Sequence, residues 1–270
     1  MMYLIATDLD RTLFPNGNQE YDGSMERFRE IISSEDVELA FVTGRHLALI
    51  REGMEEFNTP SPAYIIAEVG TRIYDKDYKE DTDWISYIEE NTQNWALDTF
   101  KEALSGIEGL RLQEEDKQNR FKLSYYVDDL ENLQLASVRE SIQKVCEHAN
   151  IIYSIDEAHG VGLIDILPQC VDKENALEFL RKKLSLSKEQ VIYCGDSGND
   201  LQPLTAGYKA ILVRNAIDEV RDEVNRVATE KQITGNIYIA KGSDEFNGYY
   251  VSGIIEGLIH FGILMQKHQY

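Results

Sequence analysis

A shortage of basic residues, few cysteines and the lack of any long apolar run set the first limits on this chain. Its 270 residues include 27 lysines and arginines against 48 aspartates and glutamates, which gives a formal net charge of −21. Such a charge repels nucleic-acid phosphates and anionic lipid surfaces, so we expect neither as a partner. No apolar segment approaches the roughly 20 residues that cross a bilayer, so we expect no membrane span.

Cysteine and histidine are also scarce. Cys146, Cys170 and Cys194 are odd in number, show no Cys-x-x-Cys spacing and have apolar neighbours, which favours reduced thiols. The apolar residues 3–6 lack the basic flank and the length of an export signal, so we expect a cytoplasmic protein. The five histidines show no ligand-like spacing, which argues against a histidine metal site. For the assembly we expect a monomer or a small homo-oligomer.

Short apolar runs alternate with helical segments along much of the chain. Strands are predicted at 3–7, 37–42, 191–194, 210–213 and 237–240. Helices are predicted at 45–57, 173–184 and 251–266. This βαβ spacing, with strands apolar on both faces, predicts an α/β fold in which helices cover both sides of a parallel sheet.

The middle of the chain has a different pattern. It predicts helices at 84–104 and 132–148, and strands at 121–127, 151–155 and 161–167. We interpret residues 82–166 as an inserted α+β domain and residues 1–81 with 167–270 as the core. Alternation in the strand 121–127 places Lys122 and Ser124 on its open face, where they would contact substrate hydroxyls or simply be exposed strand residues.

Two acidic clusters follow two of the predicted strands. Asp8 and Asp10 come directly after residues 3–7, and the segment 195–200 follows residues 191–194. Ligands bind at the carboxyl edge of open α/β sheets, so we expect the two clusters to share one site. Together they could hold Mg²⁺, with Asp196 as a direct ligand. Asp8 would be the nucleophile that forms an aspartyl-phosphate, and Asp10 the general acid and base.

Further candidates surround these carboxylates. Thr43 ends another apolar strand and would bind a phosphate oxygen, cap the following helix, or do both. Lys173 opens a helix and would neutralise phosphoryl charge while holding Asp8 ionised. Around the metal ligands and the phosphate we place Thr12, Gly44, Asn199 and Asp200.

The order of these segments along the chain resembles that of a known enzyme superfamily. The segments carrying Asp8, Thr43, Lys173 and residues 196–200 resemble the motifs of haloacid dehalogenase superfamily phosphohydrolases. An insert between the threonine and lysine motifs is similar to the α/β cap of the Cof-like group. Similarity to sucrose-phosphate phosphatases is carried by residues 69–74, 122–126, 165–168 and 252–258.

The resemblance implies a fold, a metal and a substrate class. The fold is a Rossmann-like core with an inserted cap that grips a sugar. The metal is Mg²⁺, with ligands that correspond to Asp8, Asp10, the main chain beside Asp10, and Asp196. At position 11 this family usually has glycine, whereas this chain has Arg11. We expect an ordinary φ angle there, and a side chain that binds an anionic part of the substrate or is solvated.

The predicted activity is Mg²⁺-dependent hydrolysis of a sugar phosphomonoester, with sucrose 6-phosphate as one possible substrate and mannosylglycerate phosphate or a simple hexose phosphate as others. One alternative is a sugar phosphomutase or phosphotransferase, in which a sugar hydroxyl takes the phosphoryl group. Another is a non-catalytic sugar-phosphate sensor, against which the intact set of acidic residues and Lys173 argues.

Overall fold

Two β-sheets organise the protein, and the computed structural model describes residues 2–33, 36–127, 135–156 and 160–264. The strands are β1 (Tyr3–Thr7), β2 (Val37–Val42), β3 (Tyr64–Ala67), β4 (Arg72–Asp75), β5 (Leu110–Leu112), β6 (Leu123–Val127), β7 (Ala149–Asp156), β8 (Val161–Pro168), β9 (Val191–Gly195), β10 (Lys209–Leu212) and β11 (Ile237–Ile239). The helices are α1 (Met25–Ile32), α2 (Leu47–Glu56), α3 (Thr82–Glu90), α4 (Leu97–Leu104), α5 (Leu135–Val145), α6 (Lys173–Lys183), α7 (Leu201–Leu204), α8 (Asp218–Glu230) and α9 (Val251–His260).

The larger sheet has the strand order β11-β10-β9-β1-β2-β3-β4. All neighbouring strands are parallel except β4, which runs antiparallel to β3. Since β1 lies between β2 and β9, the carboxyl ends of these three strands meet at the centre of one edge. The residues that follow them, Asp8, Thr43 and Asp196, are thereby brought together.

Helices cover both faces of the larger sheet. In β1 the side chains alternate between the faces, with Leu4 and Ala6 on one and Ile5 on the other. The first face packs against α3, α6 and α8, and the second against α1, α2 and α9. The predicted α/β class, with buried strands between two helical layers, is confirmed.

The smaller sheet is antiparallel and has the order β5-β6-β8-β7. On β6, Leu123, Tyr125 and Val127 pack against α4 and α5, as the alternation predicts. The opposite face of this sheet is turned toward the end of the larger sheet that carries Asp8, as the residues lining the intervening cavity show.

The predicted helix 84–104 is wrong as a single element, because α3 ends at Glu90 and α4 begins at Leu97. Asn94, at φ 56°, turns the chain between them. Trp84 of α3 packs on Phe179 of α6, and its Nε1 donates a hydrogen bond to the Gly70 carbonyl at 3.0 Å. Helix α3 therefore packs on the larger sheet, while α4 packs on the smaller one.

Two other predicted helices are too long. The last helix stops at His260, and Gly262, at φ 68°, turns the chain away. Its predicted end, residues 265–266, lies outside the described residues. Of the predicted helix 132–148, residues 135–145 are helical and β7 begins at Ala149, whereas residues 132–134 lie outside the described ranges. None of the helices in the described ranges is long and apolar enough to cross a lipid bilayer.

Candidate active site

Asp8 follows β1 directly and is buried at the floor of the site. Its main-chain N–H donates to the Cys194 carbonyl at 2.9 Å, which ties the residue to β9. Burial raises the pKa of Asp8 well above its usual range, and the neighbouring Lys173 ammonium opposes that effect. A nucleophilic Asp8 carboxylate therefore depends on nearby positive charge.

Lys173, the first residue of α6, supplies part of that charge. Its Nζ donates to Asp8 Oδ1 at 2.8 Å, Asn199 Oδ1 at 2.9 Å and Asp200 Oδ1 at 2.8 Å. Burial disfavours the ammonium, but the carboxylates of Asp200 and Asp8 outweigh it and raise the pKa of Lys173. These contacts favour the charged form of Lys173 and fix its side chain between three partners.

The position of α6 depends on a close contact with Gly70. A Cβ at Gly70 would lie 2.3 Å from the carbonyl oxygen of Asp172, the residue before Lys173, and the φ angle of Gly70 is 96°. Asp172 caps α6 by accepting a hydrogen bond from the Asn175 N–H at 2.7 Å. Gly70 therefore allows the start of α6 to lie against the turn between β3 and β4.

Asp8, Asp196 and Asp200 form a buried acidic cluster, in which one oxygen from each lies within 4.8 Å of the others. Burial and Asp200 raise the pKa of Asp196 to about 7. Asp200 is already engaged, because Oδ1 accepts from Lys173 and Tyr193, and Oδ2 from the main-chain N–H groups of Asp196 and Ser197. Asp8 and Asp196 are the carboxylates best placed to bind a cation. Hard oxygen donors with excess negative charge fit Mg²⁺.

Asp10 departs from its expected place. Its carboxylate lies outside the acidic cluster and accepts hydrogen bonds from Arg45 Nε to Oδ2 at 2.8 Å and from Arg45 Nη2 to Oδ1 at 2.6 Å. Asn16 Nδ2 also donates to Oδ1, at 2.6 Å. This bidentate guanidinium pair competes with the predicted role of the Asp10 side chain as a metal ligand. The carboxylate still borders the cavity that contains Asp8.

The hydroxyls of Thr12 and Thr43 are both buried. Thr12 Oγ1 donates to Asp196 Oδ1 at 3.3 Å, which places it beside a metal-ligand candidate as predicted. Thr43 Oγ1 accepts the Arg45 N–H at 3.2 Å, which satisfies a donor just before α2, and Thr43 borders the cavity together with Gly44 and Asn199. Both interpretations of Thr43 therefore remain compatible with its position.

The backbone of Arg11 does not have the ordinary φ angle that we expected, because its φ is 58° and lies in the left-handed region. Two asparagines hold this left-handed conformation: the Arg11 N–H donates to Asn16 Oδ1 at 2.7 Å, and Asn215 Nδ2 donates to the Arg11 carbonyl at 2.6 Å. The Arg11 guanidinium lies in the cavity wall, with Nε 3.5 Å from Asp196 Oδ2. Its side chain is therefore turned toward the acidic cluster.

A cavity of about 1260 Å³ separates the two sheets above Asp8. The smaller sheet and its loops contribute a wall that is mostly polar, formed by Arg111, Gln113, Glu114, Lys117, Lys122, Tyr126, Tyr153, Ser154 and Asp165 among others. Lys122 belongs to this wall as predicted, although it is buried rather than openly exposed. Its ammonium makes no hydrogen bond or ion pair with the described residues.

Ser124 does not belong to the cavity wall. It is completely buried, and its hydroxyl donates a hydrogen bond to Asp165 Oδ1. Strand β6 pairs with β8 at this position, so the hydroxyl is directed at a cross-strand neighbour. The prediction that Ser124 lies on an open surface is therefore wrong; its partner Asp165 is the residue that lines the cavity.

Sequence reasoning missed several residues of the site. Arg45 directly follows the candidate residues Thr43 and Gly44, so its charged side chain was the signal that could have identified it as a site residue. Asp165 lies in the alternating strand β8, where a lone carboxylate between apolar neighbours gave a similar signal. Asn16 and Asn215 act through the main chain of Arg11, and nothing in their local sequence indicates that contact.

Comparison with known proteins identifies a family and related folds. A family model described as sucrose-6F-phosphate phosphohydrolase matches residues 1–262. This chain is 40% identical over 266 residues to a Nitrosococcus oceani protein that is named as a HAD-like hydrolase. The match covers 96% of this chain and 71% of the relative. The mannosylfructose-phosphate phosphatase of Agrobacterium fabrum is 27% identical over 266 residues, covering 96% and 97% of the two chains.

The structure is similar to a solved structure of the sucrose-phosphatase of Synechocystis in complex with sucrose and phosphate. The two superpose with a TM-score of 0.77 at 25% sequence identity, and the match covers 97% of this chain and 99% of the Synechocystis chain. The fold and the relatives define a phosphatase of the haloacid dehalogenase superfamily. The chain belongs to the sucrose-6F-phosphate phosphohydrolase family. The resemblance noted in the sequence is confirmed.

Proposed function

We propose that this protein hydrolyses the phosphomonoester of a sugar phosphate, with Asp8 as the nucleophile and Asp10 as the general acid and base. The observation that carries the proposal is the contact of the buried Asp8 carboxylate with Lys173 at 2.8 Å, at the floor of a large cavity. A carboxylate held this way is a preorganised nucleophile rather than an exposed surface charge.

In the first step an Asp8 oxygen attacks phosphorus, and the bond from phosphorus to the sugar oxygen breaks. Asp10 gives its proton to the leaving oxygen. In the second step Asp10 takes a proton from a water molecule whose oxygen attacks the aspartyl-phosphate, which releases inorganic phosphate and regenerates Asp8. Arg45 holds Asp10 in a fixed orientation at the cavity wall, so the proton donor is positioned before substrate arrives.

Mg²⁺, held by Asp8, Asp196 and the main chain beside Asp10, would neutralise charge on the phosphoryl oxygens. Lys173 favours the ionised form of Asp8 through its direct contact. Thr43 and the main chain at Gly44 border the same space and would bind phosphoryl oxygens.

The sugar would lie against the smaller sheet. We propose that residues 82–166 act as a cap, and that Lys122 contacts sugar hydroxyls, since Lys122 lines the cavity and its ammonium makes no hydrogen bond or ion pair with described residues. Tyr126 and Asp165 border the same wall and offer aromatic and hydrogen-bonding contacts. Because two relatives are named for disaccharide phosphates, we propose a disaccharide phosphate, with sucrose 6-phosphate as the first candidate.

The three cysteines support a further proposal about location. Cys146, Cys170 and Cys194 are free thiols, and two of them are buried. Unpaired cysteines are typical of proteins in a reducing compartment. We therefore keep the cytoplasm as the proposed location.

The direct test is release of inorganic phosphate from a panel of substrates, with and without Mg²⁺. The panel contains sucrose 6-phosphate, mannosylfructose phosphate, simple hexose phosphates and p-nitrophenyl phosphate. Asp8→Asn serves as the blank, because it removes the nucleophile and keeps the shape of the side chain.

We expect Mg²⁺-dependent release that is absent in Asp8→Asn and highest with a disaccharide phosphate. Equal rates with every phosphomonoester would reject the disaccharide as the preferred substrate. Phosphate transfer to a sugar without release would show a phosphotransferase. A folded, Mg²⁺-binding protein without turnover on any of these compounds would refute the hydrolase.

A further inference from the structure

We propose that Arg11 is a built-in counter-cation that weakens Mg²⁺ binding and stabilises the metal-free site. The proposal rests on the proposed function, because it concerns the same metal site. It assigns a role to an arginine that adopts a left-handed backbone conformation.

The first observation is the position of the charge. Arg11 Nε lies 3.5 Å from Asp196 Oδ2, and this carboxylate is one of the two that are best placed to bind a cation. Asp196 is 4% exposed, so water screens the pair poorly. A fixed positive charge at this distance repels an arriving divalent cation and competes with it for the same carboxylate. The same charge offsets part of the repulsion among the carboxylates when no metal is bound.

The second observation is that the backbone is built to keep this side chain in place. An arginine at φ 58° is costly, because its Cβ crowds the main chain in the left-handed region. Asn16 and Asn215 hold the N–H and carbonyl of Arg11 at 2.7 Å and 2.6 Å. Asn215 is buried and also accepts the Tyr250 N–H at 3.0 Å, which anchors it to the start of α9. Strain held by such support is typical of a functional position.

The decisive comparison is between Arg11→Gln and Arg11→Lys. Both variants keep a Cβ at the same φ angle and so share its cost, and they differ in charge. Titration calorimetry of the metal-free proteins with MgCl₂ alone measures the affinity. Thermal unfolding in EDTA gives a second readout that is independent of turnover.

A matched control is Arg226→Gln. Arg226 is an exposed residue of α8 that pairs with Glu223 and Glu230 outside the cavity. This variant changes the net charge of the strongly acidic chain by the same amount as Arg11→Gln. Any general attraction of Mg²⁺ to a more negative protein appears equally in both.

We expect Arg11→Gln to bind Mg²⁺ about tenfold more tightly than the wild type, and to have a lower melting temperature in EDTA than Arg11→Lys. Arg11→Lys and Arg226→Gln should stay within about twofold of the wild-type affinity. If Arg11→Gln does not fold, Arg11→Gly replaces it, since glycine adopts this φ angle freely.

Equal Mg²⁺ affinity in Arg11→Gln and Arg11→Lys would overturn the inference, and so would weaker binding in the glutamine variant. Phosphate release by the wild type tests the proposed function separately. An active wild type with unchanged affinity in Arg11→Gln would therefore reject the role of Arg11 and leave the phosphatase mechanism standing.

Discussion

The guanidinium of Arg45 binds both oxygens of the Asp10 carboxylate, at 2.8 Å from Nε and 2.6 Å from Nη2. The same guanidinium lies 5.2 Å from the centroid of the Phe14 ring, and its Nη1 donates to the Leu49 carbonyl. The proton-transfer residue of the proposed mechanism is therefore held by a side chain that is itself fixed.

Arg45→Gln should lower kcat about 10- to 100-fold and change KM little, because it releases Asp10 from its orientation. In an Asp10→Asn background the same change should have little further effect, since the two residues act as a unit. Steady-state kinetics of the two single variants and the double variant measure this coupling. Arg51→Gln on α2 is the control, because Arg51 is exposed and stacks on Tyr78. Independent, multiplicative losses would contradict the coupling.

Gly70→Ala should destabilise the protein by about 3 kcal/mol or more, because the new Cβ adds a backbone clash to an unfavourable φ angle. Gly23→Ala is the matched control: Gly23 has φ 80°, and a Cβ there would meet nothing within 4 Å. The control should cost about 1 kcal/mol. Urea denaturation of both variants gives the difference. Equal losses would mean that Gly70 is needed only for its φ angle and not to admit α6.

The metal-free protein should lose stability as pH rises from about 4 to about 7. Burial, followed by Asp200, raises the pKa of Asp196 to about 7 in the folded chain, whereas an unfolded aspartate titrates near 3.9. Between these values the folded state binds more protons, so its stability falls with rising pH. The expected loss is a few kcal/mol, since one pKa unit corresponds to about 1.4 kcal/mol.

The measurement is the free energy of unfolding in EDTA at several pH values, for the wild type and for Asp196→Asn. Asparagine keeps the shape of the side chain and does not titrate, so the difference between the two proteins isolates Asp196. A difference that is flat over this interval would show that Asp196 has an ordinary pKa in the folded protein.

Lys122→Met should raise KM for the preferred sugar phosphate about tenfold and leave KM for p-nitrophenyl phosphate unchanged. Lys122 lines the cavity from the smaller sheet, and methionine keeps most of its length. A lost hydrogen bond from a charged donor accounts for a change of this size. Lys101→Met on α4 is the control, because Lys101 pairs with Asp98 outside the cavity. An equal effect on both substrates would place Lys122 at the phosphate instead.

The fold class and the main motifs were predictable because they depend on local patterns. Strands β1 and β2 are buried apolar runs, and their bounds match the prediction at both ends. Lys173 was identified from its place at a helix start, and it is the first residue of α6. The carboxyl ends of parallel strands lie at the same edge of a sheet, so strand patterns alone could place Asp8 and Asp196 at one edge.

The partners of side chains were not predictable in the same way. Asp10 was expected at the metal and instead faces Arg45; Ser124 was expected at the surface and instead donates to Asp165. Each of these contacts joins residues far apart in the chain, 35 positions in the first case and 41 in the second. Alternation along a strand says which face a residue occupies, but not what packs against that face.

The sequence by itself determined a parallel sheet with buried strands, an aspartate at the end of β1 and a lysine at the start of α6, because periodicity and strand ends are local properties. Only the tertiary structure decided the left-handed backbone of Arg11, whose N–H donates to Asn16 and whose carbonyl accepts from Asn215, 5 and 204 positions away. Such a conformation is stable only when surrounding groups hold it, and those groups come together only when the chain is folded.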